Sequence, residues 1–100
     1  GGIRIDEPAA DLGICVAMAS SFANRSLRPK TIVFGEVGLS GEVRAVGQAD
    51  IRINEAKRLG FEHVVLPMKN YRQLASEVAG IRLYGAETIR DALRLAMPKE

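Results

Sequence analysis

Between residues 8 and 24 the chain is apolar at nearly every position. Ala9, Ala10, Leu12, Ile14, Cys15, Val16, Ala17, Met18, Ala19, Phe22 and Ala23 fall all round a helical wheel. A helix of that kind is expected in the middle of a fold. Pro8 at an early helical position and Asp11 in the first turn both suit its start. The pattern breaks at "NRSLRPK" (24–30), and the β-branched and aromatic "TIVFGEV" (31–37) predicts a strand. "GLSG" (38–41) is a turn and "EVRAV" (42–46) alternates like a returning strand, so 31–46 reads as a β-hairpin. From Gln48 to Arg58 the period is helical, with Ala49, Ile53, Ala56 and Gly60 on one face and Asp50, Asn54, Lys57 and Arg58 off it. Ile51 points away from the apolar face. "FEHVVLP" (61–67) predicts a strand closed by Pro67. Tyr71, Leu74, Ala75 and Val78 mark a helix that Gly80 ends. "IRLYG" (81–85) is a short strand, and Ile89, Ala92, Leu93 and Ala96 mark a final helix. Strands alternating with helices imply βαβ units, hence an α+β chain of α/β-type units whose helices pack on a sheet.

A length of 100 residues, 47% of them hydrophobic, is enough for one domain with a modest core. No repeat, linker or second domain is visible. The single cysteine, Cys15, allows neither an internal disulfide nor a zinc cluster, and its apolar neighbours make it a packing residue. A reducing, cytoplasmic setting is expected. Leu12 to Ala19, the longest mainly apolar run, is too short to cross a bilayer, and no charged leader precedes it, so neither a membrane partner nor secretion is expected.

Candidate chemistry is sparse. Nucleophilic catalysis needs a nucleophile beside a base, and Ser20, Ser21, Ser26, Ser40 and Ser76 all stand where serines cap or solvate. His63, the only histidine, reads as a strand residue at a sheet edge or end rather than a general base. "GEVGLSG" opens no helix and lacks the Lys-Ser/Thr of a phosphate loop. A net charge of +2 predicts no nucleic-acid partner by itself. Basic residues do cluster, however: Arg25, Arg28 and Lys30 share one loop, and Arg44, Arg52, Lys57 and Arg58 follow the hairpin. A solvated charged face and a phosphate-contacting patch account for them about equally well. The lack of aromatics among them argues against base stacking.

The stretch "FGEVGLSGEVRAVG", a helix ending "AKRLGF" and then "HVVLP" resemble the proteolytic domain of Lon-type ATP-dependent proteases. That family opens its buried helix with a "DGPSAG" loop carrying the nucleophilic serine, and carries its catalytic lysine on the helix after the hairpin. "DEPAADLG" occupies the loop's place here, which puts Ala9 at the serine position and Asp50 at the lysine position. The resemblance therefore implies a Lon proteolytic-domain-like fold, with a mixed sheet and packed helices, that has lost its peptidase dyad. "DEPAADL", "FGEVGLSGEVR" and "EAKRLGF" also resemble the C-terminal Lon-like domain of the RadA (Sms) family of bacterial recombination and repair proteins. That likeness implies a parent DNA-dependent ATPase with a zinc motif and a RecA-like core, using ATP and Mg. It would assemble as a ring, expected to be a hexamer, act in branch migration and have the RecA recombinase as a partner. No cofactor is expected in residues 1–100, which would form the Lon-like domain without its N-terminal part. On this reading Arg25, Arg28, Lys30, Arg44 and Arg52 are candidates for contacts with single- or double-stranded DNA, and Leu39 and Ile51 for subunit contacts. Two alternatives differ in kind: a pure oligomerisation scaffold, and a residual peptidase working through Ser20, Ser21 or Lys57.

Overall fold

The computed structural model describes residues 7–98, so Asp6 of the "DEPAADLG" loop lies outside the described residues. A 3-10 turn at Pro8–Ala10 runs directly into α1 (Asp11–Ala23). There follow β1 (Thr31–Val33), the short pair β2 (Glu36–Val37) and β3 (Val43–Arg44), and α2 (Ala49–Arg58). The chain continues with β4 (His63–Pro67), α3 (Met68–Leu74), β5 (Arg82–Ala86) and α4 (Ile89–Ala96). β4 is the central strand of a parallel sheet ordered β1-β4-β5, with Thr31, His63 and Arg82 in register at its starting edge. β2 and β3 pair antiparallel as a separate ribbon, so the fold combines parallel and antiparallel pairing.

The central strand shows why its sequence is apolar without alternation. Val64, Val65, Leu66 and Pro67 are all buried because both faces of the sheet are covered. On one face Val65 meets Leu12 and Val16 of α1 and Ala92 and Ala96 of α4. On the other, Val64 and Leu66 meet Phe34 and the Ala49, Ile53 and Ala56 stripe of α2. The result is three layers, α1 and α4, the sheet, then α2 and α3. Each helix runs back against the strands, so α1, α2, α3 and α4 end at the sheet's starting edge. α4 is fixed at its start by a reciprocal cap: the Thr88 hydroxyl accepts from Asp91 N–H at 3.1 Å, and Asp91 accepts from Thr88 N–H at 3.2 Å.

Three expectations change. α1 is not enclosed: Leu12 and Val16 are buried, but Ile14, Met18 and Phe22 along the opposite stripe are 39%, 67% and 95% exposed. The sheet and α4 cover only one side of this helix, so small and apolar residues all round it did not mean burial all round. Its close approach is nonetheless real, since a Cβ at Gly13 would lie 2.7 Å from the Val33 carbonyl oxygen. The predicted strand 31–37 also breaks in two at Gly35, whose φ of +155° only glycine adopts readily. Leu12, Val43 and Pro67 crowd that position within 3.2 Å of where a Cβ would stand. β1 therefore joins the parallel sheet and only β2 enters the hairpin. Finally, α3 starts at Met68, immediately after Pro67, and ends at Leu74.

Candidate functional site

The 3-10 turn that opens α1 is bolted to Gly35 by two backbone hydrogen bonds. Gly35 N–H donates to the Ala9 carbonyl at 2.8 Å, and Leu12 N–H donates to the Gly35 carbonyl at 2.9 Å. Ala9 is thereby buried, 5% exposed, at the floor of a cleft of about 240 Å³ whose walls include Pro8, Glu36, Val46 and Gly47. The far wall belongs to the segment entering α2, where Gln48 takes a left-handed conformation (φ 58°) and Asp50 lies exposed in the first helical turn. The cleft thus presents a methyl group at the Ala9 position, while the exposed Asp50 carboxylate stands in the first turn of α2, outside the cleft's lining.

Arg52, one turn into α2, occupies the mouth of this cleft. Its guanidinium forms an ion pair and hydrogen bond with Glu7 and lies over the Phe34 ring at 5.9 Å. Its Nε is buried without a hydrogen-bond partner among the described residues. A guanidinium stays protonated in proteins, so Arg52 supplies positive charge and no base. Sequence reasoning missed the residue that steadies the α2 entry. Asn70 is 4% exposed, accepts from Val46 N–H at 2.9 Å and donates to the Val46 carbonyl at 3.0 Å, a side chain standing in for a paired strand. A polar residue early in a helix that follows Pro67 gave only a faint signal of this.

The basic candidates do not converge. Arg25, Arg28 and Lys30 stand at the sheet's starting edge. The Arg28 guanidinium donates to the Tyr84 hydroxyl at 2.8 Å and lies 5.1 Å from that ring, while Arg25 donates to the Met97 carbonyl at 3.1 Å. Lys30 pairs with Glu62 at 3.5 Å. Arg44 and Arg52 stand at the opposite edge, with Arg44 paired to Glu42 at 3.1 Å. The hydrogen bond from its own backbone N–H, followed by those from Arg44 and Ser40, pulls the Glu42 carboxyl down to about 2. His63 Nδ1 lies 3.0 Å from the Tyr84 hydroxyl, a satisfied strand-end partner. Ser20 donates to the Arg25 carbonyl, as a serine closing a helix does.

Leu39 is fully exposed at the tip of the hairpin. Ile51, 58% exposed, lines a separate groove of about 360 Å³ with Ile32, Phe34 and Leu59. Among the described residues no cluster of metal-ligating side chains is assembled, and no helix is long and apolar enough to cross a membrane.

The profile of the Lon protease (S16) C-terminal proteolytic domain matches residues 1–98. The DNA repair protein RadA of Halalkalibacterium halodurans is 47% identical over 97 residues, covering 97% of this chain and 21% of the relative. RadA of Chlamydia pneumoniae is 49% identical over 98 residues, covering 97% and 22%, and RadA of Aquifex aeolicus is 40% identical over 95 residues, covering 95% and 20%. The chain thus spans about a fifth of the length of these relatives.

Proposed function

The chain belongs to the Lon protease (S16) C-terminal proteolytic domain family, and we propose that Ala9 and Asp50 stand at the positions of that family's serine and lysine, so that this is a non-proteolytic Lon-like domain serving DNA repair. The observation that carries this reading is the cleft itself. Its floor is the buried Ala9 methyl, and its mouth is taken by the Arg52–Glu7 ion pair rather than by a neutral amine. The methyl cannot attack a peptide carbonyl, and the ion pair has no nucleophile beside it to activate. The RadA relatives, described as DNA repair proteins, supply the context.

In that context the domain binds DNA through lysine and arginine contacts to phosphates, a sequence-independent and salt-sensitive mode. It also contributes to ring assembly of a cytoplasmic, DNA-dependent ATPase. ATP, Mg and Zn belong to parts of that parent outside this chain, and the RecA recombinase is its expected partner. The exposed aliphatics Leu39 and Ile51 are the candidate subunit contacts, since an apolar side chain at a turn tip and another lining an open groove can meet across a repeated interface. Fluorescence anisotropy with labelled single- and double-stranded DNA tests the binding half. Affinity should fall steeply with salt, and should drop when Arg25, Arg28 and Lys30 are all changed to Ala. A folded chain that fails to bind at low salt leaves the scaffold alternative in its place. Cleavage of casein by the pure chain would overturn the non-proteolytic half.

A further inference from the structure

The parallel sheet sorts the charged residues by edge. Its three strands start together at Thr31, His63 and Arg82, and every helix ends there, because each runs back against the strand it precedes or follows. The Ala96 carbonyl accepts from Arg28 N–H at 2.8 Å, and the Lys30 carbonyl accepts from Glu62 N–H at 2.9 Å, which ties the end of α4 and the entry to β4 to the same loop. Arg25, Arg28, Lys30, Lys57, Arg58 and Arg82 all gather at this starting edge, against Glu55, Glu62 and Glu77. The opposite edge, where the Ala9 cleft opens, has the reverse balance. Glu7, Asp11, Glu36, Asp50, Glu87 and Asp91 stand there, with Glu42 held ionised, against Arg44, Arg52, Lys69, Arg90 and Arg94, the last paired with Asp91 at 2.6 Å.

Resting on the DNA-binding reading above, we infer that DNA lies against the starting edge of the sheet, the end remote from the former catalytic cleft. The ordinary reason for such sorting is that basic side chains offset helix carboxyl ends and acidic ones offset amino ends. Magnitudes separate the two effects. A helix end carries roughly half a charge whose influence fades within its last turn, whereas lysine and arginine carry full charges several bonds further out. A ligand approaching from solvent therefore meets the side chains first. Arg58 and Lys30 are paired to Glu55 and Glu62 only on the surface, where such pairs exchange readily for phosphate. Lys57 reaches the loop at Gly80, its Nζ 3.5 Å from where a Cβ there would stand, and so joins the α2 end to the β5 entry. The Arg28–Tyr84–His63 contacts hold the middle of the edge rigid. The domain measures 39 × 35 × 28 Å, so whichever face meets a duplex is on the scale of one helical turn, ~34 Å.

The choice of edge excludes a subset of the candidates. Arg44 and Arg52 point from the acidic end, where an approaching backbone meets Glu7, Glu36 and Asp50 as well. Two charge-matched triple variants of the full chain test this. In one, Lys57, Arg58 and Arg82 are changed to Gln; in the other, Arg44, Lys69 and Arg90. All six are exposed side chains, and circular dichroism and thermal melting verify that both variants fold. The first variant should bind a labelled duplex on the order of tenfold more weakly at low salt, with a slope of log K against log salt shallower by about 1 for each phosphate it no longer neutralises. The second should bind within about twofold of the parent chain, with the parent's slope. Equal losses of affinity in the two variants would mean that net charge alone is read, and a larger loss in the second would put DNA at the cleft; either overturns the inference while leaving DNA binding intact. A parent chain that does not bind DNA at any salt overturns the underlying reading as well.

Discussion

Changing Asn70 to Ala removes a side chain that takes the place of a neighbouring strand. Its amide accepts from Val46 N–H at 2.9 Å and donates to the Val46 carbonyl at 3.0 Å, from a position 4% exposed. Each such hydrogen bond contributes about 1 kcal/mol net, and a backbone group stranded without a partner costs about 1–3 kcal/mol more. Val46 is only half-buried, so water can offset part of that cost. The expected loss is therefore about 2–4 kcal/mol. For a domain of this size that lowers Tm by on the order of 10–20 °C, which differential scanning calorimetry reads directly. Asn70→Asp separates the two bonds. It keeps the acceptor for Val46 N–H but sets a second acceptor against the Val46 carbonyl, so it should also destabilise at neutral pH. At acid pH the protonated carboxyl can donate again, and the gap to the parent chain should narrow. An Asn70→Ala variant within about 0.5 kcal/mol of the parent would refute the reasoning, because it would mean that the α2 entry holds its course without the clamp.

Gly13→Ala should cost about 1–3 kcal/mol in urea unfolding, since its Cβ would stand 2.7 Å from the Val33 carbonyl oxygen and α1 must move off β1. Thr88→Ala removes the hydroxyl that accepts from Asp91 N–H and should cost about 1 kcal/mol, with loss of amide-exchange protection in the first turn of α4. Acid unfolding should begin early, because the folded state holds two carboxylates ionised to lower pH than the unfolded chain does. Glu42 is pulled from 4.5 to about 2 by its own backbone N–H, Arg44 and Ser40, and Asp91 is lowered by the Glu87 N–H and then by Arg94 and the Thr88 N–H. Their contribution is complete above about pH 4.5 and is lost as the pH falls toward 2. Glu42→Gln should flatten that limb of the Tm–pH curve, and an unchanged limb would discount the carboxylate.

The alternation of elements was legible from the chain because β4 is continuously apolar and α2 keeps a clean stripe through Ala49, Ile53 and Ala56. The family was legible too, through the hairpin and the loop that opens α1. What the pattern concealed was tertiary. The split at Gly35 depends on Leu12, Val43 and Pro67 converging on one backbone position, and no window of sequence holds all three. The open side of α1 was hidden because alanines and a few large apolar residues read alike whether a layer covers one side or two. In the candidate site, the motif pointed to the loop that holds Ala9, but the Arg52–Glu7 pair, 45 residues apart, could not be read from it. The basic residues were grouped by proximity in sequence, while the parallel sheet groups them by strand end. That is why Arg44 and Arg52 part company with Arg25, Arg28 and Lys30.

The central claim, that a Lon-type domain without its dyad serves as a DNA-backbone contact, is tested most directly by the salt dependence of binding to two duplexes of unrelated sequence. The account predicts equal affinities for both, and a log–log slope that is linear and several units steep between about 50 and 200 mM salt. A flat slope, or binding to one sequence alone, would contradict it.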